Sequence, residues 1–491
     1  MRLHLNATLD HTRLLLIDQS TAKWKDILKR IYDCIMFLAK QNLPFRGHRE
    51  SLTEDACNSG NFLELIKLLS KYDPVLREHL TNVQLAEKKT TTYLSPQIQN
   101  EFITLLGINV RKRIIADVCA AKYFAIMFDS TPDVSHTDQM SEIIRYVSIK
   151  EGKVDIKESF IDFFPLEGKT AEAITNVIIA KLCEDGLDIQ NCYGQGYDNA
   201  ATMAGIHRGV QRRILDINQH AIFMPCNNHS LNLAGVHAAG INPNAVTFFG
   251  TIERIFVYFS SSTHRWDVLK KHAKLTVKRV SDSDTRWSAK HDAVSALKGN
   301  LDQVITALEE LRDGASENLA TKGDAGALLT CTMSYTFIAY LFFWEPVLKE
   351  INYTQQYLQK RGLCLDQCAT KMSSLSVYFT DERDALVSNS SEAAQSFCDD
   401  KGIRVDRRVR RQRRMPREQV RDDGLTVKQE TCRALLEIVD RLLAEVEKRS
   451  GNLRDMSDRF GFMQPSHLLN ERNDERIKKQ IQNFSLLYGY A

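Results

Sequence analysis

The amino-acid sequence predicts an α/β protein in which a mixed β-sheet lies between two long helical regions. Three observations indicate this class. Apolar residues recur with helical spacing over residues 21–120, short apolar runs separated by turn residues follow over 121–225, and helical spacing returns over 245–400. The length of 491 residues and a hydrophobic fraction of 43% allow a sizeable buried core.

Composition excludes several classes of protein. The chain has 65 Lys and Arg against 62 Asp and Glu, a net charge of +3, so any nucleic-acid contact must come from local basic patches. No apolar stretch approaches the ~20 residues that cross a bilayer, and polar residues interrupt the N-terminus where a secretory signal would be apolar. The 11 scattered cysteines fit free thiols in a reducing compartment. We therefore expect an intracellular protein without a signal peptide or membrane contact.

The first predicted region, residues 1–118, is α-helical. Phe62, Leu65, Ile66 and Leu69 recur at the spacing that places them on one face of a helix. Ser95-Pro96 is a typical helix start, because Ser caps the first turn and Pro suits the first helical position.

The second predicted region, residues 119–244, has the element order of the mixed sheet in ribonuclease H-like nucleases. Three strands form a meander, after which helix, strand, helix and strand alternate. The apolar runs that define the strands are 123–128, 143–149, 154–164, 192–197 and 221–224. Element order predicts a fold and never establishes chemistry by itself.

The remaining chain is predicted as a helical insertion over 245–403, an Arg-rich linker over 404–424, and a C-terminal helix with an irregular tail over 425–491. Nine arginines fall within residues 404–421. Such a block can bind DNA phosphates with strong salt dependence, can serve as a nuclear-import signal, or can be a solvated linker. The candidate nucleic-acid contacts in it are Arg407, Arg408, Arg410, Arg411, Arg413 and Arg414.

Two aspartates follow predicted strands directly. Asp129 comes after the first strand and Asp198 after the fourth. If these strands are neighbours, both carboxylates meet at one edge of the sheet, where oxygen ligands suit Mg²⁺ and a pair of metals about 3.5–4 Å apart could hold the oxygens of a phosphoryl displacement. The alternative for each residue alone is an ordinary turn or helix-cap aspartate.

Four segments in the same order resemble the signature blocks of hAT-superfamily transposases, and more narrowly the transposon-derived group known as zinc finger MYM-type protein 1-like. The resemblance covers roughly residues 30–460. The four segments are Phe128-Asp129-Ser130-Thr131, Gly196-Tyr197-Asp198-Asn199-Ala200-Ala201, Cys226-Asn227-Asn228-His229-Ser230-Leu231-Asn232-Leu233 and Asp284-Thr285-Arg286-Trp287.

This resemblance implies a role for each matching position. Asp129 and Asp198 match the first two catalytic carboxylates, both ligands of Mg²⁺ or Mn²⁺, and Cys226 and His229 match a Cys-x-x-His pair close to that centre. Arg286-Trp287 matches the start of the helical insertion, where the Trp stacks against a flipped base of the DNA partner. The alternative for Trp287 is a core aromatic residue. The family also implies a nuclear location.

Departures from the family pattern qualify the expected activity. Nothing after Trp287 resembles the segment with the third catalytic Glu or the dimerisation region, so the oligomeric state is undetermined. No Cys-x-x-Cys occurs, and Cys226-x-x-His229 supplies only half of a four-ligand set, so no structural zinc is expected. We therefore expect a truncated, catalytically incomplete transposase remnant. A domesticated non-catalytic nuclear protein that binds DNA or protein partners, and a gene-model fragment, remain alternatives.

Overall fold

The computed structural model describes residues 9–48, 50, 58–85, 91–273, 277–280, 287–360, 362–405, 425–463 and 474–488. Arg286 and the six candidate arginines of the linker therefore lie outside the described residues. Contacts group the chain into two compact units: Met1–Lys122 with Val147–Ile161, and Tyr123–Tyr146 with Asp162–Ala491.

The described helices of the first unit are α1 (Leu9–Lys40), α2 (Asn61–Ser70), α3 (Pro74–Leu85) and α4 (Pro96–Ala121). Ile31 of α1 packs in one core with Phe62 and Ile66 of α2, as their helical spacing predicts, while Leu69 at the end of that face is 37% exposed. The predicted start of α4 is confirmed, because the Ser95 hydroxyl accepts a hydrogen bond from the backbone N–H of Ile98.

The strands form one five-stranded mixed sheet, which confirms the predicted fold class. They are β1 (Phe124–Pro132), β2 (Asp138–Lys150), β3 (Lys153–Pro165), β4 (Cys192–Tyr197) and β5 (Ile222–Pro225). Their order across the sheet is β3-β2-β1-β4-β5; β1 runs antiparallel to β2 and parallel to β4, and β4 runs parallel to β5. The connections are α5 (Ala171–Glu184) between β3 and β4, and α6 (Ala201–Ala204) and α7 (Val210–Ile217) between β4 and β5.

The other α-helices described in the second unit follow β5. They are α8 (Asn227–Ala239), α9 (Pro243–Ser260), α10 (Thr263–His272), α11 (Trp287–Gly299), α12 (Leu301–Asp313), α13 (Leu319–Thr332), α14 (Tyr335–Leu358), α15 (Leu365–Asp381), α16 (Arg383–Asp400), α17 (Val427–Phe460) and α18 (Asp474–Tyr488). One hydrophobic core includes Ala238 of α8, Phe248 of α9, Trp344 of α14 and Leu442 of α17. The core thus continues across the predicted boundary at residue 244.

The tail differs from the sequence prediction, because α18 is a regular helix where an irregular tail was expected. Its inward residues Gln480, Phe484 and Tyr488 recur every four positions, a stripe too short and too polar to stand out in the sequence.

No single helix in the described ranges is long and apolar enough to cross a bilayer. Helices α13 and α14, with a bend of 68° between them, are together long and apolar enough, but this rests on length and composition alone.

Candidate functional site

The neighbouring strands β1 and β4 bring the two predicted carboxylates to the C-terminal end of their shared ladder. Asp198 directly follows β4, as predicted. Asp129 does not follow β1 but lies inside it, because β1 continues to Pro132 in its pairing with β2. In the parallel ladder Ile126 is opposite Gln195 and Met127 is opposite Gly196, an offset of 69 residues (196 − 127). The same offset relates Asp129 and Asp198 (198 − 129). Asp129 comes two residues after Met127, and Asp198 comes two residues after Gly196, the last pair of the ladder. The prediction that the first and fourth strands are neighbours is confirmed.

The two carboxylates lie in different environments. Desolvation and the negative charge of Asp198 raise the pKa of the Asp129 carboxyl, against smaller lowering effects of the Ser130 backbone N–H and of His229. Asp198 accepts a 3.1 Å hydrogen bond from the backbone N–H of Ala200, so it also serves as the turn aspartate that was the alternative. Asp198 can therefore be a turn aspartate and a metal ligand at the same time. Its negative charge repels that of Asp129.

The first turn of α8 adjoins this pair. The backbone N–H of Cys226, the residue that precedes α8, donates a 2.9 Å hydrogen bond to the carbonyl oxygen of Tyr197. The side-chain amide of Asn199 donates a 2.7 Å hydrogen bond to the Ser230 hydroxyl. These contacts fix α8 to the loop after β4 and bring His229 close enough to affect the pKa of Asp129.

The carboxylate pair suits one hard divalent cation. Mg²⁺ in proteins is commonly held by one or two carboxylates, with waters and substrate phosphate oxygens as its other ligands. Within the described part of the chain, no group of three or more His, Cys, Asp or Glu side chains could hold a metal ion. Asp129 and Asp198 thus fit an Mg²⁺ or Mn²⁺ shared with a phosphate, without a complete protein ligand set.

Trp287, the first residue of α11, lies in the hydrophobic core. Its side chain is 1% exposed, and its ring packs 5.9 Å from Phe249 and 5.6 Å from Trp344, centroid to centroid. The indole also packs against Gly235 of α8, where an added Cβ would lie 2.5 Å from it. This packing supports the core-aromatic alternative, because the ring could meet a flipped base only by leaving the core.

Sequence reasoning missed a buried charged residue that has three ion-pair partners. Glu445 of α17 is buried at 5% exposure, and its carboxylate contacts His237 of α8 and both Arg441 and Arg449 of its own helix. The signal was a Glu at a position of the apolar stripe, three residues after Leu442. A charge at such a position indicates a paired carboxylate.

Asp129→Asn should raise the melting temperature in metal-free buffer near neutral pH by about 1–2 °C, because it removes the repulsion with Asp198. The raised pKa of Asp129 gives the sign: its contribution to stability is present below the ordinary Asp pKa and is lost as pH rises through the folded-state value. Added Mg²⁺ should stabilise the wild type and not the variant, as measured by a thermal shift series.

The matched control is Asp133→Asn in the β1–β2 turn. Asp133 accepts hydrogen bonds from Ser135, Thr137 and Gln139, which lower its pKa to about 2. This variant should be less stable than wild type and should keep the Mg²⁺ response. An equal Mg²⁺ response in the Asp129 variant would exclude the strand-end pair as the cation site.

Comparisons with known proteins agree with the RNase-like fold. The family model described as "ZMYM1/FAM200, RNase-like domain" matches residues 6–209. The "52 kDa repressor of the inhibitor of the protein kinase" from Homo sapiens is 23% identical over 337 residues, which are 66% of this chain and 43% of that protein. The Mus musculus protein of the same name is 22% identical over 338 residues, with the same coverage. The match thus spans less than half the length of these relatives. Residues 6–209 are thus similar to the RNase-like domain of the ZMYM1/FAM200 family, which is consistent with the resemblance to transposon-derived ZMYM-like proteins.

Proposed function

We propose that the chain is a nucleic-acid-binding derivative of a hAT-like transposase whose strand-cleavage centre is incomplete. The observation that supports this most is the shared register of β1 and β4, because Asp129 and Asp198 each come two residues after the last pair of that ladder. The turn with Cys226 and His229 adjoins the pair, in the arrangement that the motif order implies.

In this proposal, the two carboxylates hold a cation that binds a phosphate. Mg²⁺ or Mn²⁺, when bound, would neutralise phosphate charge and stabilise the charge that develops in phosphoryl transfer. Asp129 would orient the cation from within β1, where it pairs with Ser141 of β2, and Asp198 would do so from the residue that follows β4. Because no third acidic ligand joins them in the described ranges, we propose that the site positions a phosphate and does not cleave the strand.

Binding to duplex DNA would come from the arginine block of the linker rather than from the carboxylate pair. Each neutralised phosphate contributes about −0.9 to the slope of log K against log salt on duplex DNA. Arg407, Arg408, Arg410, Arg411, Arg413 and Arg414 supply six such charges. The proposed binding is therefore salt-sensitive and largely independent of base sequence.

A second candidate function is a domesticated nuclear protein that acts through DNA or protein partners without any catalysis. The relatives support it, since their name describes a repressor of the inhibitor of a protein kinase. A repressor of this kind would retain the RNase-like fold as a binding surface, and we propose a nuclear location for it.

A nicking assay tests the incomplete centre. The full chain is incubated with supercoiled plasmid and either Mg²⁺ or Mn²⁺, and we expect no conversion to nicked or linear DNA, while anisotropy with labelled duplex shows binding that weakens with salt. Metal-dependent nicking that disappears in Asp129→Ala or Asp198→Ala would contradict the proposal, because it would require a third ligand elsewhere. Absence of both nicking and duplex binding would favour the protein-binding alternative.

A further inference from the structure

A cavity of about 720 Å³ lies between the end of α17 and α18. Its volume is in the range of small-molecule sites, about 300–1,000 Å³. Its lining includes Asp455, Asp458, Phe460, Gln480, Phe484 and Tyr488. Nothing in the strand-end site or in the proposed DNA contact involves these residues, so the cavity requires its own explanation.

Gln480 is the polar group that points to a ligand. Its side chain lines the cavity and is 7% exposed, yet neither Oε1 nor Nε2 has a hydrogen-bond partner among the residues that the structure describes. An unsatisfied buried amide costs about 1–3 kcal/mol, so native proteins rarely keep one without a reason. A ligand with a donor and an acceptor side by side would satisfy both ends of the amide.

Aromatic rings beside Gln480 offer flat faces to such a ligand. Phe484 and Tyr488 follow Gln480 at intervals of four on the same face of α18, with ring centroids 4.6 Å apart, and Phe460 of α17 is 6.0 Å from Phe484. Tyr488 already stacks on His220 at 5.4 Å and on Tyr193 at 5.5 Å, so the proposed stacking partners of a ligand are Phe460 and Phe484. Fixed aromatic faces bind nucleobases by stacking, typically by about 1–3 kcal/mol per base.

The charges of the lining narrow the ligand class. Asp455 and Asp458 place two carboxylates there against the single guanidinium of Arg459. The net negative charge disfavours a phosphate group and favours a neutral ligand.

We propose that this cavity binds a purine base, with the Gln480 amide paired to the adenine edge and the ring stacked on the aromatic side chains. A side-chain amide pairs with the adenine N6 donor and N7 acceptor in exactly two hydrogen bonds, which matches the two unsatisfied amide atoms of Gln480. The base could be presented by a free nucleoside or by an unpaired nucleotide of a strand, and the negative lining favours the nucleoside.

Calorimetric titration of the full chain with adenosine tests this assignment. Adenosine should bind, AMP should bind more weakly because of its phosphate, and Gln480→Leu should weaken adenosine binding at least tenfold. Gln482→Leu, an exposed glutamine on the same helix, is the matched control and should leave the affinity unchanged. A single-stranded oligonucleotide with one adenine, compared with its abasic equivalent, distinguishes a strand from a free nucleoside as the source of the base.

The stability of Gln480→Leu separates loss of the ligand contact from loss of the fold. Leucine is similar in size and removes the unsatisfied amide, so its melting temperature should equal or exceed that of wild type. Failure of both adenosine and the adenine oligonucleotide to bind at millimolar concentration would overturn the proposal. So would adenosine binding of equal strength in wild type and Gln480→Leu.

Discussion

Trp287→Ala should lower the free energy of unfolding by about 3–5 kcal/mol, the usual cost of removing a buried Trp. The reason is the enclosed position of the indole, which is 1% exposed and packs against Phe249 and Trp344. Urea unfolding followed by circular dichroism measures the loss. Trp266→Ala is the matched control, because Trp266 of α10 is only partly buried and should cost less. A Trp287 variant of wild-type stability, with weaker binding to unpaired bases, would instead support the stacking role that the family resemblance implies.

Gly235 provides a second test of the same contact. A Cβ at this position would lie 2.5–2.8 Å from three atoms of the Trp287 ring, closer than real Cβ contacts. Gly235→Ala should therefore destabilise the wild type, yet in the Trp287→Ala background it should gain up to about 1 kcal/mol from the helix propensity of Ala. This change of sign is a coupling that a double-mutant cycle measures. Gly250→Ala in α9, where an added Cβ meets nothing within 4 Å, should stabilise both backgrounds.

The sheet and its carboxylate pair could be predicted from the sequence because their signals are local. Each strand is a short apolar run that ends at turn residues, and Asp129 and Asp198 stand where such runs stop. The neighbouring positions of β1 and β4 needed one further step, the element order of a known fold class. The register itself was not predictable in this way, because the offset changes from 68 residues at Phe124 and Cys192 to 69 residues from Ala125 and Gly194 onwards.

The burial of Trp287 and the helix at the C-terminus could not be predicted in the same way. Trp287 follows a polar segment, and its packing partners Gly235 and Trp344 lie more than 50 residues away in both directions. The α18 stripe begins with Gln480, directly after two lysines, so its inward face is defined by contacts with the end of α17 and with His220 and not by a local apolar pattern. Both features depend on long-range packing, which overrides local pattern.

Glu445→Gln should lower the free energy of unfolding by about 2–3 kcal/mol, because hydrogen bonds to a charged group are worth roughly 1.5–3 kcal/mol and the partner cations are left without it. The carboxylate is 6% exposed; Arg441 Nη2 lies 2.6 Å and His237 Nδ1 3.1 Å from it, and Arg449 contacts its second oxygen. The contact to His237 joins α17 to α8, the helix whose first turn adjoins the strand-end pair. The loss of this ion pair should therefore lower the stability of the whole second unit and not only that of α17.

The pH dependence of unfolding separates this charge effect from simple repacking. Burial alone would raise the pKa of Glu445, but His237, Arg449 and Arg441 together lower it below its ordinary value. A lowered pKa contributes stability above the unfolded-state value, about 4.3 for Glu, and this contribution is lost as pH falls through the folded-state value. Denaturant unfolding from pH 7 to pH 3 should thus show a steeper acid loss in wild type than in Glu445→Gln. Glu447→Gln, an exposed position two residues further along α17, should behave like wild type at every pH. If both variants lose the same stability and keep the same acid slope, the Glu445 carboxylate does not hold α17 against α8 through charge.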